Sequence, residues 1–461
     1  MNTLIILFVG AIIVLFAGLF SQRKNLLPIT IIVLLGSLAS SILNLNTPTS
    51  PIFASMLRFD NYAIVCSNIA IVATILIVLL SGWAFRHQTH SLGDHYALML
   101  FVLCGALCMV SFNNLTMLFL GIEILSIPLY VLAGSRKNDL HSNEAALKYF
   151  IMGAFATGFL LMGITLIYGA SGSFDIATIK NFTVQNPQNS VLLNVGVLLL
   201  VVAMCFKIGA VPFHFWSPDV YQGAPTLVTT FMATVVKIAA FGAFYRLFSL
   251  AFVAIMPVWS GAIAVVSMVT MLVANLIAVQ QTSIKRMLAY SSVSHAGYLL
   301  MTLLSVNQTG ASTAVLVYLY AYSVATICVF AVYIAVSQSS DFVGVEAFVG
   351  LGTKKPLLAA CATIAMLSLA GIPPTAGFFG KYLIFSQTLN NYTWLVVAAI
   401  ISSAISIYYY LRIVTAMYFS DEPASDYRIE VPSVYKVVMV FCVLLMIAIG
   451  FLPDTLANIL K

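Results

Sequence analysis

Long apolar segments recur along the whole of this 461-residue chain, and short polar linkers separate most of them. A helix needs about 20 mostly apolar residues to cross a bilayer. Only 7% of the residues are charged, whereas about 25% is usual in a soluble domain. The segments therefore predict an all-α polytopic membrane protein, and they exclude a soluble enzyme, a disordered chain and a nucleic-acid binder.

The hydropathy pattern predicts about 14 transmembrane helices, joined by linkers that are too short to hold an independent domain. No basic residue precedes the first segment, whereas Arg23 and Lys24 follow it. This order is the reverse of a signal peptide, so we expect the first segment to remain as a membrane anchor. The predicted spans are 3–20, 27–44, 60–82, 95–111, 114–133, 144–169, 190–221, 224–248, 252–279, 285–304, 311–337, 355–388, 392–417 and 434–455.

Lysine and arginine are unevenly divided between alternate linkers, with twelve on one side and four on the other. Because cytoplasmic loops carry the excess of basic residues, the larger set predicts the cytoplasmic side. An even number of spans then places both termini on the periplasmic side. The larger set is Arg23, Lys24, Arg86, Arg136, Lys137, Lys285, Arg286, Lys354, Lys355, Arg412, Arg428 and Lys436, and the smaller set is Arg58, Lys180, Arg246 and Lys461.

The seven cysteines all lie inside apolar segments. None has His, Asp or Glu neighbours at metal-ligand spacing, which is typical of thiols that only pack. We therefore expect no disulfide framework, no metal site and no redox cofactor in this chain.

Two ionisable residues lie near the middle of predicted spans, where a charge costs at least about 2.5–3.5 kcal/mol. Glu123 lies in the fifth span, and it either holds a mobile proton or serves as a structural partner for a buried lysine. Lys237 lies in the eighth span, too deep to reach the surface easily. Burial disfavours the charged form of a lysine, so Lys237 can gain and lose a proton.

Two further lysines lie beside clusters of glycine and proline that interrupt apolar segments. Lys207 precedes the first cluster, which contains His214, and Lys381 follows the second. Glycine and proline predict a broken helix, which exposes backbone groups inside the membrane. Broken spans with a titratable residue are typical of ion paths. The alternative is that each lysine only neutralises the carbonyl end of a helix, and His214 could equally stabilise the bend.

Lys148 and His295 carry a less specific signal. Lys148 lies about one turn into the sixth span, so its side chain could simply extend to the membrane surface. His295 lies in the tenth span among several hydroxyl side chains that could hold water. A proton relay and a hydrogen-bonded structural role are both open for this histidine.

The two interruptions fall in the seventh and twelfth spans, five spans apart. Because five is odd, spans four to eight and nine to thirteen predict two inverted five-helix repeats, each containing a broken helix. The predicted segments are 1–94 with three N-terminal helices, 95–250 and 251–418 for the two repeats, and 419–461 with the last helix.

Two long motifs carry a resemblance to a known family. The run KIGAVPFHFWSPDVYQGAPT at 207–226 and the run GIPPTAGFFGK at 371–381 resemble the antiporter-like membrane subunits of respiratory complex I, the NADH-quinone oxidoreductase. The resemblance covers nearly the whole chain. It is strongest to the branch in which the second break ends in lysine, because other branches often carry glutamate there.

The resemblance implies a proton-translocating subunit that uses the energy of electron transfer from NADH to quinone. It implies that the proton path contains Glu123, Lys148, Lys207, Lys237 and Lys381, and the family often has a histidine at the position of His295. NADH, FMN, iron–sulfur clusters and quinone would bind partner subunits. The expected partners are other membrane-arm subunits, including neighbouring antiporter-like subunits, and lipids of the bacterial inner membrane.

In the mechanism that we expect, Glu123 holds Lys207 charged, and weakening this pair releases a proton through Lys237 toward Lys381. Two alternatives remain open from the sequence. One is a subunit of a multi-subunit sodium/proton antiporter or of a membrane-bound hydrogenase. The other is a scaffold that transports nothing and only completes a membrane arm.

Overall fold

A computed structural model describes residues 2–20, 23–47, 55–85, 92–186, 190–337, 344–420 and 431–451. Arg86, Arg428 and Lys461, three of the basic residues that predict the orientation, lie outside these residues. The described helices are α1 (Asn2–Phe20), α2 (Arg23–Leu43), α3 (Asn61–Ala84), α4 (Leu92–Ser111), α5 (Leu115–Ala133), α6 (Leu140–Ser171), α7 (Ile176–Gln185), α8 (Val191–Ile208), α9 (Trp216–Gly223), α10 (Thr226–Phe231), α11 (Lys237–Ala251), α12 (Met256–Gln280), α13 (Ile284–Leu300), α14 (Ala311–Ser337), α15 (Leu351–Lys354), α16 (Pro356–Ala370), α17 (Ala376–Thr388), α18 (Thr393–Phe419) and α19 (Ser433–Phe451).

Twelve helices in the described ranges are long and apolar enough to cross a membrane. The predicted spans 285–304 and 355–388 are the two that no such helix covers, since α13 has only 17 residues and the second span divides into α16 and α17. The predicted linker 170–189 contains a helix, α7, which the side chain of Asp175 caps. The predicted all-α polytopic fold is confirmed.

Both predicted helix breaks are present, and each begins in the same way. Gly209 follows the last residue of the first half-helix, α8, with φ 72°, and Gly371 follows the last residue of the corresponding α16 with φ 82°. Glycine adopts this left-handed conformation without the steric cost that a Cβ atom brings. The amides after each helix bond back to its last carbonyls, as Ala210 N does to Cys205 O and Ile372 N does to Leu367 O.

Helix packing repeats along the chain. The first helix of each unit contacts the second and the fifth, so α4 packs on α5 and α11 just as α12 packs on α13 and α18. The third helix packs on the broken fourth, which pairs α6 with α8 and α14 with α16 and α17. The helices α4 to α11 thus form one unit and the helices α12 to α18 form a second. In each unit the fourth helix is broken, as the two predicted repeats require.

The two units run in opposite directions. Arg246 lies near the end of α11, and its Nε donates to the carbonyl of Phe112, just after α4, at 2.9 Å. The same guanidinium forms an ion pair of 2.7 Å with Asp60. The helix α4 therefore ends at this side of the molecule, whereas α12 begins at it, shortly after α11. The inverted relationship follows from this geometry.

We expect Gly105→Ala to destabilise the protein by about 1–3 kcal/mol, because an added Cβ would overpack the close contact between α4 and α5. That Cβ would collide with the backbone of Leu125. Thermal unfolding of the purified protein measures the change. The control is Gly158→Ala, where nothing lies within 4 Å of an added Cβ. Equal melting temperatures for the two variants would contradict the close packing.

Candidate functional site

Lys207 lies in the last turn of α8, at the first break, and its side chain is buried. Its Nζ donates a hydrogen bond of 2.6 Å to Ser126 Oγ on α5. Trp216, the first residue of α9, stabilises the break because its Nε1 donates to Phe206 O at 3.1 Å. Lys207, Ser126 and Trp216 line a small cavity of about 20 Å³. A cavity of this size can hold a single water molecule.

Glu123 lies on α5, less than one turn from Ser126, but it has a different partner. Its Oε1 accepts a hydrogen bond of 2.8 Å from Thr157 Oγ1 on α6. Both Lys207 and Glu123 belong to the described residues, and no ion pair of 4 Å or less joins them. Lys207 lies at the first break as the sequence predicts, whereas the direct contact expected between it and Glu123 is absent in this conformation.

Lys237 follows a π-helical turn, Met232–Val236, and its side chain is buried. Such turns are frequent at functional sites. Its Nζ donates to Ile208 O at 2.8 Å and to Ser292 O at 2.9 Å. Since Ile208 ends α8 and Ser292 lies on α13, this lysine bridges the first repeat and the second.

His295 lies one turn after Ser292 on α13, and hydroxyl groups contact both of its ring nitrogens. Nδ1 lies 2.7 Å from Tyr318 Oη, and Nε2 lies 3.2 Å from Tyr410 Oη. Tyr322 Oη donates to Ser292 Oγ at 2.8 Å. The ring of Tyr322 lies 5.0 Å from that of His295, so the histidine and its hydroxyl partners lie beside the residue that Lys237 contacts.

Lys381 lies on α17, just after the second break, and is buried. Its Nζ donates to Ala370 O and to Ser403 Oγ, each at 2.8 Å, and lies 4.9 Å from the centroid of the Tyr298 ring. Ala370 ends α16, so Lys381 does neutralise the carbonyl end of a helix. A lysine over an aromatic ring also gains a cation–π interaction.

Lys148 lies apart from the buried lysines. It forms ion pairs of 2.7 Å with Glu144 and with Asp219, and about 40% of its side chain is exposed. Asp219, on α9, also pairs with Arg286 on α13 at 2.8 Å. These side chains line a polar pocket together with His141. Asp219 thus connects α6 of the first repeat with α13 of the second.

Several partners in this arrangement are absent from the sequence prediction. Ser126, Thr157 and Tyr410 are hydroxyl residues inside apolar helices, where the sequence gives no sign of what they contact. Asp219 lies within the first motif. It is the fourth residue of α9, a position that the sequence does not reveal because it does not predict α9 as a separate helix. His214, expected at the bend, is buried there, and its Nδ1 has no hydrogen-bond partner among the residues that the structure describes.

The family described as "NADH:quinone oxidoreductase/Mrp antiporter, TM" matches residues 112–406. The chain belongs to this family. The subunit N of NADH-quinone oxidoreductase from Cytophaga hutchinsonii is 42% identical, over 100% of this chain and 99% of that protein. The branch indicated by Lys381 is the subunit N branch, so the resemblance drawn from the two motifs is confirmed.

Solved structures support the same fold. A chain of respiratory complex I from Thermus thermophilus is 35% identical, with a TM-score of 0.85 over 99% of this chain and 98% of that one. A chain of the Mrp complex from Dietzia is only 19% identical, with a TM-score of 0.86 over 99% of this chain and 95% of that one. The Mrp likeness shows the shared fold alone.

Charge pairing at Asp219 makes stability depend on pH. Partial burial alone would raise the pKa of Asp219, but hydrogen bonds from Lys148 and Arg286 outweigh it, and the pKa is lowered. A carboxyl group with a lowered folded-state pKa stabilises the protein above its unfolded pKa of about 4, and this contribution is lost as the pH falls further.

We expect Asp219→Asn to lower the free energy of unfolding by about 1 kcal/mol at pH 7, since solvent screens this half-exposed cluster. The difference from the unchanged protein should shrink below pH 4. Thermal unfolding across this pH range is the measurement. Glu144→Gln is the control, because Glu144 pairs only with Lys148 one turn away; an equally large loss there would contradict the bridging role of Asp219.

Proposed function

We propose that this chain is a proton-translocating membrane subunit of a bacterial NADH-quinone oxidoreductase. It couples electron transfer from NADH to quinone, which takes place in partner subunits, to the movement of protons across the membrane. NADH, FMN, iron–sulfur clusters and quinone bind those partners, and this chain supplies no redox centre. Its neighbours are other membrane-arm subunits, including further antiporter-like subunits, together with lipids.

The position of Lys237 carries this proposal. Its ammonium group touches the end of α8 in the first repeat and a carbonyl of α13 in the second. Lys207 lies one residue before the α8 end, and His295 lies three residues beyond Ser292. A proton held on Lys237 is therefore placed between the two halves, as a path along the middle of the membrane requires.

In the proposed sequence of steps, Lys207 carries a proton while Glu123 is close enough to favour its charge, and it releases the proton when Glu123 withdraws. The proton passes to Lys237, then to His295 and its tyrosine partners, and then to Lys381. Confined water completes the gaps between these groups. Lys148 and Asp219 lie at the surface from which Lys207 is loaded.

The energies required are modest. A change of one pKa unit corresponds to about 1.4 kcal/mol, and moving one charge through 100 mV takes about 2.3 kcal/mol. Forming or breaking a single buried charge contact has a similar size. Rearrangement of one or two contacts around Lys207 is thus sufficient to move a proton against a membrane potential of this order.

We place the chain in the bacterial inner membrane with both termini on the periplasmic side, which the distribution of basic residues supports. We also assign residues 1–94 to an N-terminal segment, 95–250 and 251–418 to the two repeats, and 419–461 to a C-terminal segment with one transmembrane helix. With this orientation, the Lys148–Asp219–Arg286 cluster faces the cytoplasm, and the Asp60–Arg246 pair faces the periplasm.

A second candidate is a subunit of a sodium/proton antiporter or of a membrane-bound hydrogenase. This candidate rests on the fold that the chain shares with a chain of the Mrp complex. Sodium dependence of transport, and the identity of the subunits that purify with the chain, distinguish the two. A scaffold without transport would tolerate neutralisation of each buried lysine in turn.

We expect Lys237→Met to reduce the number of protons pumped per electron pair while the complex still assembles, because methionine fills the same space without carrying a proton. Proteoliposomes that contain the complex, with NADH and quinone supplied, give this ratio. Lys180→Met is the matched control, since Lys180 is exposed on α7. An unchanged ratio in the Lys237 variant would refute the proposed path.

A further inference from the structure

Lys207 and Glu123 are held by two separate hydroxyl groups. Lys207 Nζ donates to Ser126 Oγ at 2.6 Å, and Glu123 Oε1 accepts from Thr157 Oγ1 at 2.8 Å. Hydrogen bonds of this kind, with one charged member, are shorter and stronger than neutral ones. The contacts draw the ammonium and the carboxylate toward different helices, α5 at Ser126 and α6 at Thr157.

The two charged groups are nevertheless within reach of each other. Glu123 and Ser126 are three residues apart on α5, and side chains with this spacing lie side by side on one helix face. Lys207, which reaches Ser126, therefore needs only a change of side-chain conformation to reach Glu123. The cavity lined by Lys207, Ser126 and Thr157 leaves space beside the ammonium group for this movement.

Each hydroxyl has a second partner within its own helix. Ser126 Oγ donates to Ile122 O, and Thr157 Oγ1 has Gly153 O at 3.2 Å as another acceptor. When Lys207 and Glu123 leave, neither hydroxyl is left buried without a hydrogen bond, which would otherwise be costly. The exchange between the two arrangements is therefore reversible at small cost.

We propose that Ser126 and Thr157 form a hydroxyl latch that holds Lys207 and Glu123 apart and sets how often they pair. With the latch closed, each charged group binds its own hydroxyl, as observed. With the latch open, Lys207 and Glu123 pair directly. Ser126 and Thr157 are thus positioning residues for the proton path of the proposed function, on which this inference rests.

Removing either hydroxyl should favour the direct pair. In Thr157→Val and in Ser126→Ala, loss of one charge-assisted hydrogen bond should shift the equilibrium toward the pair about tenfold. A direct ammonium partner favours the ionised form of a carboxyl group more than a neutral hydroxyl does, and the hydrophobic reagent dicyclohexylcarbodiimide modifies the protonated form. We therefore expect its rate of modification of Glu123, measured by mass spectrometry in the intact complex, to fall in each variant, by at most about tenfold.

Three reference variants complete the experiment. Among the described residues, the hydroxyls of Thr165 and Ser111 bond only within their own helices, so the rates in Thr165→Val and Ser111→Ala should equal that of the unchanged protein. Lys207→Met removes the pairing partner and should give the fastest modification. Unchanged rates in the Thr157 and Ser126 variants, beside a faster rate in Lys207→Met, would overturn the latch.

A cryo-electron microscopy map of the Thr157→Val complex gives a readout that does not depend on access of the reagent. We expect the Lys207 ammonium within 4 Å of the Glu123 carboxylate, and a lysine still bound to Ser126 would refute the proposal. Both readouts report side-chain contacts and hold whether or not the chain pumps. Failure of the proposed function would instead appear as an unchanged proton ratio in Lys237→Met.

Discussion

The carbonyl end of a helix that stops inside a membrane is the constraint on which this structure depends. The last four carbonyls of a helix lack intrahelical partners, their dipoles make that end negative, and lipid offers no water to solvate them. Lys237 donates to the last carbonyl of α8, and Lys381 donates to the last carbonyl of α16. Each break is thereby stabilised by a lysine.

A structural role for these lysines and the transport role that we propose are consequently the same arrangement in two protonation states. A neutral amine can still donate a hydrogen bond to the carbonyl that it caps, so loss of a proton weakens the contact without removing it. The helix ends compensate part of the cost of a buried ammonium group, which leaves its charge sensitive to small changes nearby. The Ser126 and Thr157 hydroxyls supply such changes at Lys207.

The all-helical fold, most of the membrane spans, the two breaks and the deep ionisable residues could be predicted from the sequence, because length, hydropathy and glycine–proline clusters report them directly. The partners of Glu123 and Lys207 could not be predicted, because the sequence gives the depth of a side chain but not its direction. Thr157 resembles many other threonines in membrane helices, such as Thr165, which faces outward. The sequence also predicts one continuous span over 190–221, which places Asp219 inside a membrane helix. In the structure this range contains two helices, and Asp219 lies on the second, α9, where it is partly exposed.

The π-helical turn at Met232–Val236 has a consequence for the residue that follows it. A π turn contains about one residue more than an α-helical turn, and each residue of an α-helix advances the side chains by about 100°. Rewinding this turn into an α-helix would rotate Lys237 about the helix axis by roughly that angle. Its ammonium group would leave the carbonyls of Ile208 and Ser292 together, so the two halves would be disconnected by a local twist with no tilting of whole helices.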